Sequence, residues 1–446
     1  MKKKVLLAIV LVVVLLGAGL GYAYFATDAL KSDKQLFFSY LLSDDFTKDL
    51  KDTNLEKYVE KQTNTTFENK GKITFEAPEQ GSALDGLTIL NSTTIDVEGK
   101  TNTAKKLAEQ KFTVELSQGI NIPIQYKRDG ETYGIQTKLL SDKFIAIKNE
   151  DLKTLADRFG MDTSNIPDNI TLSGLNFSDK EISKIKDKYS KVLYDNMTKD
   201  MFSKTKTKDQ TKVTMDVSAE QFINLIEKLA NALKEDKDLL NKLSAGTTVE
   251  DLKTQIDNFV DAIKETDTTD ADRVQIVLTI KSGELTECEI KTVTDNVAEI
   301  VAAIEKSDTK LVFYAYEDNE LVGQVSIEKF ANKDELSYIV EIKANSDGEE
   351  VANIQIEMAY KNLAKLDDVE ETITTDIVYS DSSSTSSSTA DEKTSISVTY
   401  NNVVTFDSSL NIDAFNSNNA IIINDATDKE LQDLFLNVYR NFSGIQ

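Results

Sequence analysis

The chain has 446 residues, 40% of them hydrophobic, and a formal net charge of −25. That is enough for about two or three domains with ordinary cores and too apolar for an acidic disordered tail. The charge weighs against nucleic acid, anionic polymers and anionic lipid headgroups as partners, and leaves cationic ligands and divalent metal ions open. There is no histidine, no tryptophan and one cysteine, Cys288. Ser-His-Asp and Cys-His catalysis, imidazole zinc sites and internal disulfides are thereby excluded.

The chain begins Met1-Lys2-Lys3-Lys4, followed by an uncharged apolar run from Val5 to Phe25. As a helix rising about 1.5 Å per residue, Val5 to Phe25 spans roughly 30 Å, the thickness of a bilayer's hydrocarbon core. The basic residues hold the N-terminal end in the cytoplasm, and Tyr22, Tyr24 and Phe25 fall at an outer aromatic belt. The expectation is a single-pass cell-membrane protein, N-terminus cytoplasmic and bulk extracellular. The alternative is secretion after cleavage of a signal peptide near Gly21-Tyr22-Ala23.

Ser32-Asp33-Lys34-Gln35 has the form of a capping box opening a helix that carries Leu36, Phe37, Tyr40 and Leu41. A short helix over 55–61 is followed by strands at 73–75, 87–97, 111–116, 120–126, 132–139 and 144–147, with Asp129-Gly130 as a hairpin turn. From Asp151 the period changes to about 3.6. Helices are expected over 151–159, closed by Gly160, and from Ser178-Asp179-Lys180-Glu181 to near Lys204. A strand at 213–217 precedes two more: one capped by Ser218 and Gln221, with Phe222, Leu225, Ile226, Leu229 and Leu233 inward, and one capped by Thr247 and Glu250, with Leu252, Ile256, Phe259, Val260 and Ile263 inward.

After a polar break at 267–272 comes an antiparallel meander: 274–280, the return strand with Cys288 and Ile290, then 311–316, 321–327, 336–344, 351–360 and 372–380. The serine-threonine tract 380–389 forms a hairpin loop before a strand at 394–400, and Thr427 and Glu430 cap a final helix. Strands run in blocks, so the fold class is α+β: an N-terminal transmembrane helix, then large curved antiparallel sheets with helices packed on one face. The domain reading is an anchor over 1–26, a helix-plus-sheet module over 27–206, a helical segment over 207–266 and a meander with C-terminal helix over 267–446.

The lysine-rich start, the apolar run and the segment from Thr27 to Leu41 resemble a family of Gram-positive membrane-anchored proteins whose members carry no assigned activity. The meander with helices on its concave face is similar in pattern to lipoprotein-carrier half-barrels of the LolA and LppX kind, and that likeness implies an apolar cavity. No motif residue carries over from either.

Candidate chemistry is thin. Ser183-x-x-Lys186 and Ser203-x-x-Lys206 have acyl-enzyme spacing but lack a Lys-Thr-Gly element, and chance is the better account. Asp367, Asp368, Glu370 and Glu371 offer carboxylates, although Glu370 and Glu371 would point to opposite faces of a strand. Asp267, Asp270 and Asp272 with Asp257 or Glu265 could furnish calcium ligands, but the glycine and terminal glutamate of a helix-loop-helix site are missing. No catalytic, cofactor or metal residue is assigned, and no enzyme activity is expected. The expected function is an extracytoplasmic, membrane-anchored protein of binding or structural type. The alternatives are a carrier or sensor of a lipid or other apolar ligand in a half-barrel cavity and, less favoured, a carboxylate-based hydrolase. The expected partners are the cell membrane and an apolar ligand, with no nucleic acid.

Overall fold

The computed structural model describes residues 31–43, 45–77, 90–116, 119–150, 152–161, 179–243, 248–265, 269, 271–346, 348–380 and 393–443. The run from Val5 to Phe25 lies outside them. Among the described residues no helix is long and apolar enough to cross a membrane. The chain forms two compact units: Met1–Lys51, Thr171–Glu328 and Glu341–Val351 make the first, and Asp52–Ile170, Lys329–Val340 and Ala352–Gln446 the second. Antiparallel pairing dominates both, with several helices, so the fold is α+β.

In the first unit the strands β7 (Phe202–Lys206), β8 (Thr211–Ser218), β9 (Arg273–Lys281), β10 (Glu284–Thr294), β11 (Val297–Lys306), β12 (Lys310–Glu317) and β13 (Glu320–Ala331) pair with their successors as a meander. Register places Val213, Leu278, Cys288 and Ile304 in one row, and Met215, Ile276, Ile290 and Ala302 in the next. Helices α1 (Asp33–Leu41), α4 (Asp179–Asn196), α5 (Ala219–Lys234) and α7 (Val249–Lys264) contribute the other side of this core through Phe37, Leu193, Phe222, Leu225 and Ile263. Leu278 is 0% exposed and Ile276 2%.

Caps set where these helices begin. Gln35 N–H donates to Ser32 Oγ (3.3 Å), and Ser32 N–H returns the bond to Gln35 Oε1 (3.0 Å). Ser218 and Gln221 do the same for α5. The cap of α7 is Thr248 with Asp251, one residue beyond the expected Thr247 with Glu250. The helix expected to run to Lys204 stops at Asn196, because β-pairing with β8 claims 202–206 instead. Among elements without a sequence expectation are the strand β11 and the short helix α6 (Lys237–Leu243), for which Asp236 supplies the first-turn acceptor. Ser178 lies outside the described residues.

Strand β14 (Glu335–Ser346) lies where a strand was expected at 336–344. In the second unit the pairing order is β15 (Glu349–Lys361), β16 (Val369–Ser380), β17 (Lys393–Phe406), β1 (Phe67–Glu76), β2 (Thr94–Asn102), β3 (Leu107–Leu116), β4 (Ile120–Asp129), β5 (Thr132–Thr137), β6 (Ser141–Lys148) and β18 (Ala420–Ile422). All pairs are antiparallel except β18 on β6. The pairing of β16 with β17 matches the expected hairpin, while residues 381–392 of its connection lie outside the described residues. Most strands extend past their sequence expectation. β1 starts at Phe67 because Glu68, Lys70 and Lys72 alternate with Phe67, Asn69, Gly71 and Ile73 and face the polar side. Helix α2 (Thr53–Asn64), opened by Asp52 accepting from Asn54 and Leu55 N–H, packs Tyr58 against Val369, Val404, Tyr360 and Phe406. The unit also holds α3 (Leu152–Arg158), ended by Gly160 at φ +66°, and α8 (Asp428–Ser443).

Candidate functional site

The sheet of the second unit is two-sided. Residues in register share a face, so the alternation of β1 through β4 and β15 through β17 can be followed row by row. One face carries Ile373, Tyr400, Ile73, Ile95, Val114 and Ile122 as a single row. The row beside it runs Glu371, Asn402, Gly71, Val97, Phe112 and Ile124. The opposite face carries Thr372, Asn401, Lys72 and Asp96, and Thr113 and Glu115 on β3. Strand alternation thus collects aliphatic and aromatic side chains onto one surface spanning the sheet.

This apolar face is covered unevenly. Under α2 it is dry: Tyr58 is 1% exposed, and its ring meets Phe406 at 5.8 Å and Tyr360 at 6.3 Å between centroids. Toward the other strand ends and β5 the cover thins, with Ile377 41%, Ile135 48% and Ile120 52% exposed. The equivalent rows of the first unit are buried beneath helices from β8 to β11 and open to 36% at Val325 on β13; the void left where α1 and α5 meet β8 and β9 is about 20 Å³, room for a water or two and no more.

At the α2 end the face carries polar groups. Tyr58 hydroxyl donates to Glu371 Oε1 (2.7 Å), Asn402 Nδ2 donates to Glu371 Oε2 (2.8 Å), and Gln62 Nε2 donates to Tyr58 hydroxyl (2.8 Å). Gln110 Nε2 donates to Asn69 Oδ1 and Thr101 Oγ1, both at 3.0 Å. Gly71 makes this possible: a Cβ there would stand 2.6 Å from the Tyr400 ring and from Asn401 O, so its absence lets the ring lie across β1. Burial first, then the Glu371 charge, pushes the hydroxyls of Tyr58, Tyr360 and Tyr400 above the ordinary phenol range. Burial likewise raises Tyr126, farther along the face. The site is an aromatic and aliphatic surface, dry under α2 and exposed toward Ile377, Ile135 and Ile120, with one carboxylate at its covered end.

Two hollows in the first unit are further candidates. A groove of about 210 Å³ between α1 and α4 is lined by Phe38, Leu42 and Tyr194 with Ser39, Ser190 and Asp195, below the usual size of a small-molecule site. Beside it, buried Lys34 donates to Tyr194 O (2.6 Å) and Met197 O (2.7 Å), closing the C-terminus of α4, and burial lowers its pKa. The other hollow, about 340 Å³ at the β7–β8 turn, is ringed by exposed Lys206 and Lys208 and by Lys204, which pairs with Asp33 at 3.4 Å.

The sequence candidates fall as follows. Ser183 and Lys186 lie one turn apart on α4, whereas Ser203 and Lys206 are on strand β7 and three residues apart there point to opposite faces. Of the acidic cluster, Glu371 enters the apolar face, exposed Glu370 points away, and Asp368 accepts from Thr405 Oγ1 (2.5 Å). Asp257 pairs with Lys234 (2.5 Å) and Asp272 accepts from Thr269 N–H, while Asp267 and Asp270 lie outside the described residues. Cys288 is a core residue whose thiol burial pushes up to about 12. Sequence reading passed over Tyr58, Asn402 and Gln110. For Asn402 and Gln110 the signal was the break they make in an otherwise apolar strand alternation, legible once the register is known; Tyr58, on α2, carried no such signal.

No protein-family model and no curated protein sequence matches the chain. Among solved structures, a transferrin binding protein B double mutant from Haemophilus parasuis aligns over 76% of each chain at 7% identity, with a TM-score of 0.13. The monoaromatic hydrocarbon channel CymD aligns over 79% of this chain and 92% of its own at 8% identity and TM-score 0.13. An anion-selective porin from Comamonas acidovorans gives 76%, 98%, 8% and 0.11. At such scores the likenesses carry no argument about fold or function.

Proposed function

We propose that the chain is an extracytoplasmic binding protein, tethered to the cell membrane by Val5 to Phe25, whose second unit takes up an apolar or amphiphilic molecule on its sheet. The observation that carries this reading is the contrast between the apolar faces of the two units. In the first, Val213, Leu278, Cys288 and Ile304 are 0–3% exposed beneath helices and the row reaches 36% at Val325, whereas in the second Ile377, Ile135 and Ile120 are 41–52% exposed. An apolar sheet face open to water has a hydrophobic cost of about 25 cal/mol per Å² that an alkyl or aromatic ligand removes. The basic residues before the apolar run support an outward-facing body.

The test is to purify the chain without exogenous detergent and extract it for mass spectrometry. Stoichiometric recovery of an apolar or amphiphilic species is the expected result. A chain that carries none, and that added alkyl ligands do not stabilise against heat, sinks the binding reading. Topology has its own check: a tag after Gln446 should be removed by protease added outside intact cells.

A further inference from the structure

The closed end of the apolar face holds one carboxylate, Glu371. Both Glu371 oxygens are held, one by Tyr58 hydroxyl and one by Asn402 Nδ2. Two neutral donors leave the negative charge in place, and the register neighbours of Glu371 are Tyr360 and Asn402, not a lysine or arginine. Among the described residues Glu371 has no ion-pair partner. Asn402 has no freedom to turn: a flipped amide would set its oxygen against the carboxylate. The consequence is a second acceptor, Asn402 Oδ1, which receives no hydrogen bond from the described residues, on a residue only 7% exposed. An unmet buried acceptor costs about 1–3 kcal/mol, and an uncompensated carboxylate in a water-poor setting is costly too. One missing group answers both: a cation that also donates hydrogen bonds.

We infer that Glu371 and Asn402 Oδ1 receive the ammonium head of a cationic amphiphile whose apolar chain lies along the face beyond Ile373. The inference rests on the binding reading above and adds the head-group chemistry to it. From Glu371 to Ile377 on β16 the strand rises about 20 Å; Ile373, Thr375 and Ile377 share that side, and Tyr400, Val398 and Ile396 flank them from β17. An alkyl chain therefore meets apolar side chains at each step, from β17 where β16 presents Thr375, once its head is fixed at the α2 end. A carboxylate head is refused there by like charge, and a sugar head brings hydroxyl donors without the charge. The net charge of −25 enriches cations around the whole chain and speeds their encounter.

The experiment titrates octylammonium, octanoate and octyl glucoside, each below its micelle concentration, into the full chain held in a peptide-stabilised disc. The Glu371→Gln chain in the same disc carries the same partition background. The expected result is octylammonium binding at least about tenfold tighter than octanoate, with Glu371→Gln cutting octylammonium affinity about tenfold, the value of one charge-assisted contact, and leaving octyl glucoside unchanged. Tyr58→Phe removes a competing donor but keeps the charge, so it should hold or strengthen octylammonium binding; weakening overturns the inference, and this variant decides the matter should Glu371→Gln fail to fold. Equal binding of all three probes, or a preference that Glu371→Gln leaves intact, overturns the ammonium site and leaves the apolar-face reading standing. Failure of every probe to bind removes both.

Discussion

Truncating one apolar side chain in each sheet separates core from binding surface. Leu278 is 0% exposed, in row with Val213, Cys288 and Ile304 beneath the helices of the first unit. Leu278→Ala removes transfer energy and leaves a cavity that a packed layer cannot collapse, at a cost of about 3–5 kcal/mol. Ile377 is 41% exposed and sits between Ile354 and Ile396 on the apolar face of the second. Full burial of an isoleucine contributes about 1.5–3 kcal/mol. Three-fifths of that, less what alanine's own methyl group keeps and without a cavity term, leaves about 1 kcal/mol for Ile377→Ala. Urea unfolding followed by tyrosine fluorescence reads both, the free energy being the midpoint shift times the slope. A loss for Ile377→Ala as large as that for Leu278→Ala would mean that the face is an ordinary sealed core, and the functional reading would go with it.

Three further outcomes follow from the same geometry. Gly71→Ala drives a methyl group against the Tyr400 ring and Asn401 O; a cost of about 1–3 kcal/mol is expected, together with weaker uptake of alkyl probes, and an unchanged melting temperature would refute the packing of that ring. At Asp236 burial raises the carboxyl pKa, but hydrogen bonds from Lys188, Leu239 N–H and Tyr189 outweigh it and hold the pKa below its ordinary 3.8. Its stabilisation is therefore present above about pH 4 and lost as pH falls through the folded value. Asp236→Asn should cost about 0.5–1 kcal/mol at pH 7 and nothing in strong acid, and a gap that persists at pH 2 would contradict the assignment. Cys288, with its thiol pushed up to about 12 and 2% exposed, should react with iodoacetamide at pH 8 at least about 100-fold more slowly in the folded chain than in urea; similar rates would place it outside the core.

Some of this was legible without coordinates. Caps at Ser32, Ser218 and Thr427 are local, each satisfied within one turn of helix, so four residues suffice to find them. Period-two alternation in 274–280 and 120–126 marks strands because successive side chains take opposite faces. What the residues around Lys204 lacked was a local preference strong enough to stop a helix; pairing of Phe202 with Met215 did so from outside the segment. β18 is invisible for the same reason, a three-residue strand that exists because β6 lies beside it in parallel register.

The site divides along the same line. Composition alone removed histidine and disulfide chemistry and left a cation-favouring charge, since counting needs no geometry. That Glu371 is the one member of its acidic cluster to enter the apolar face depended on Tyr58, 313 residues away, and Asn402, 31 away, arriving at its two oxygens. Alternation says that a strand has an apolar side; the tertiary structure decides how much of that side a helix covers. Cover is the sum of contacts from elements far apart in the chain, and no stretch of sequence contains it.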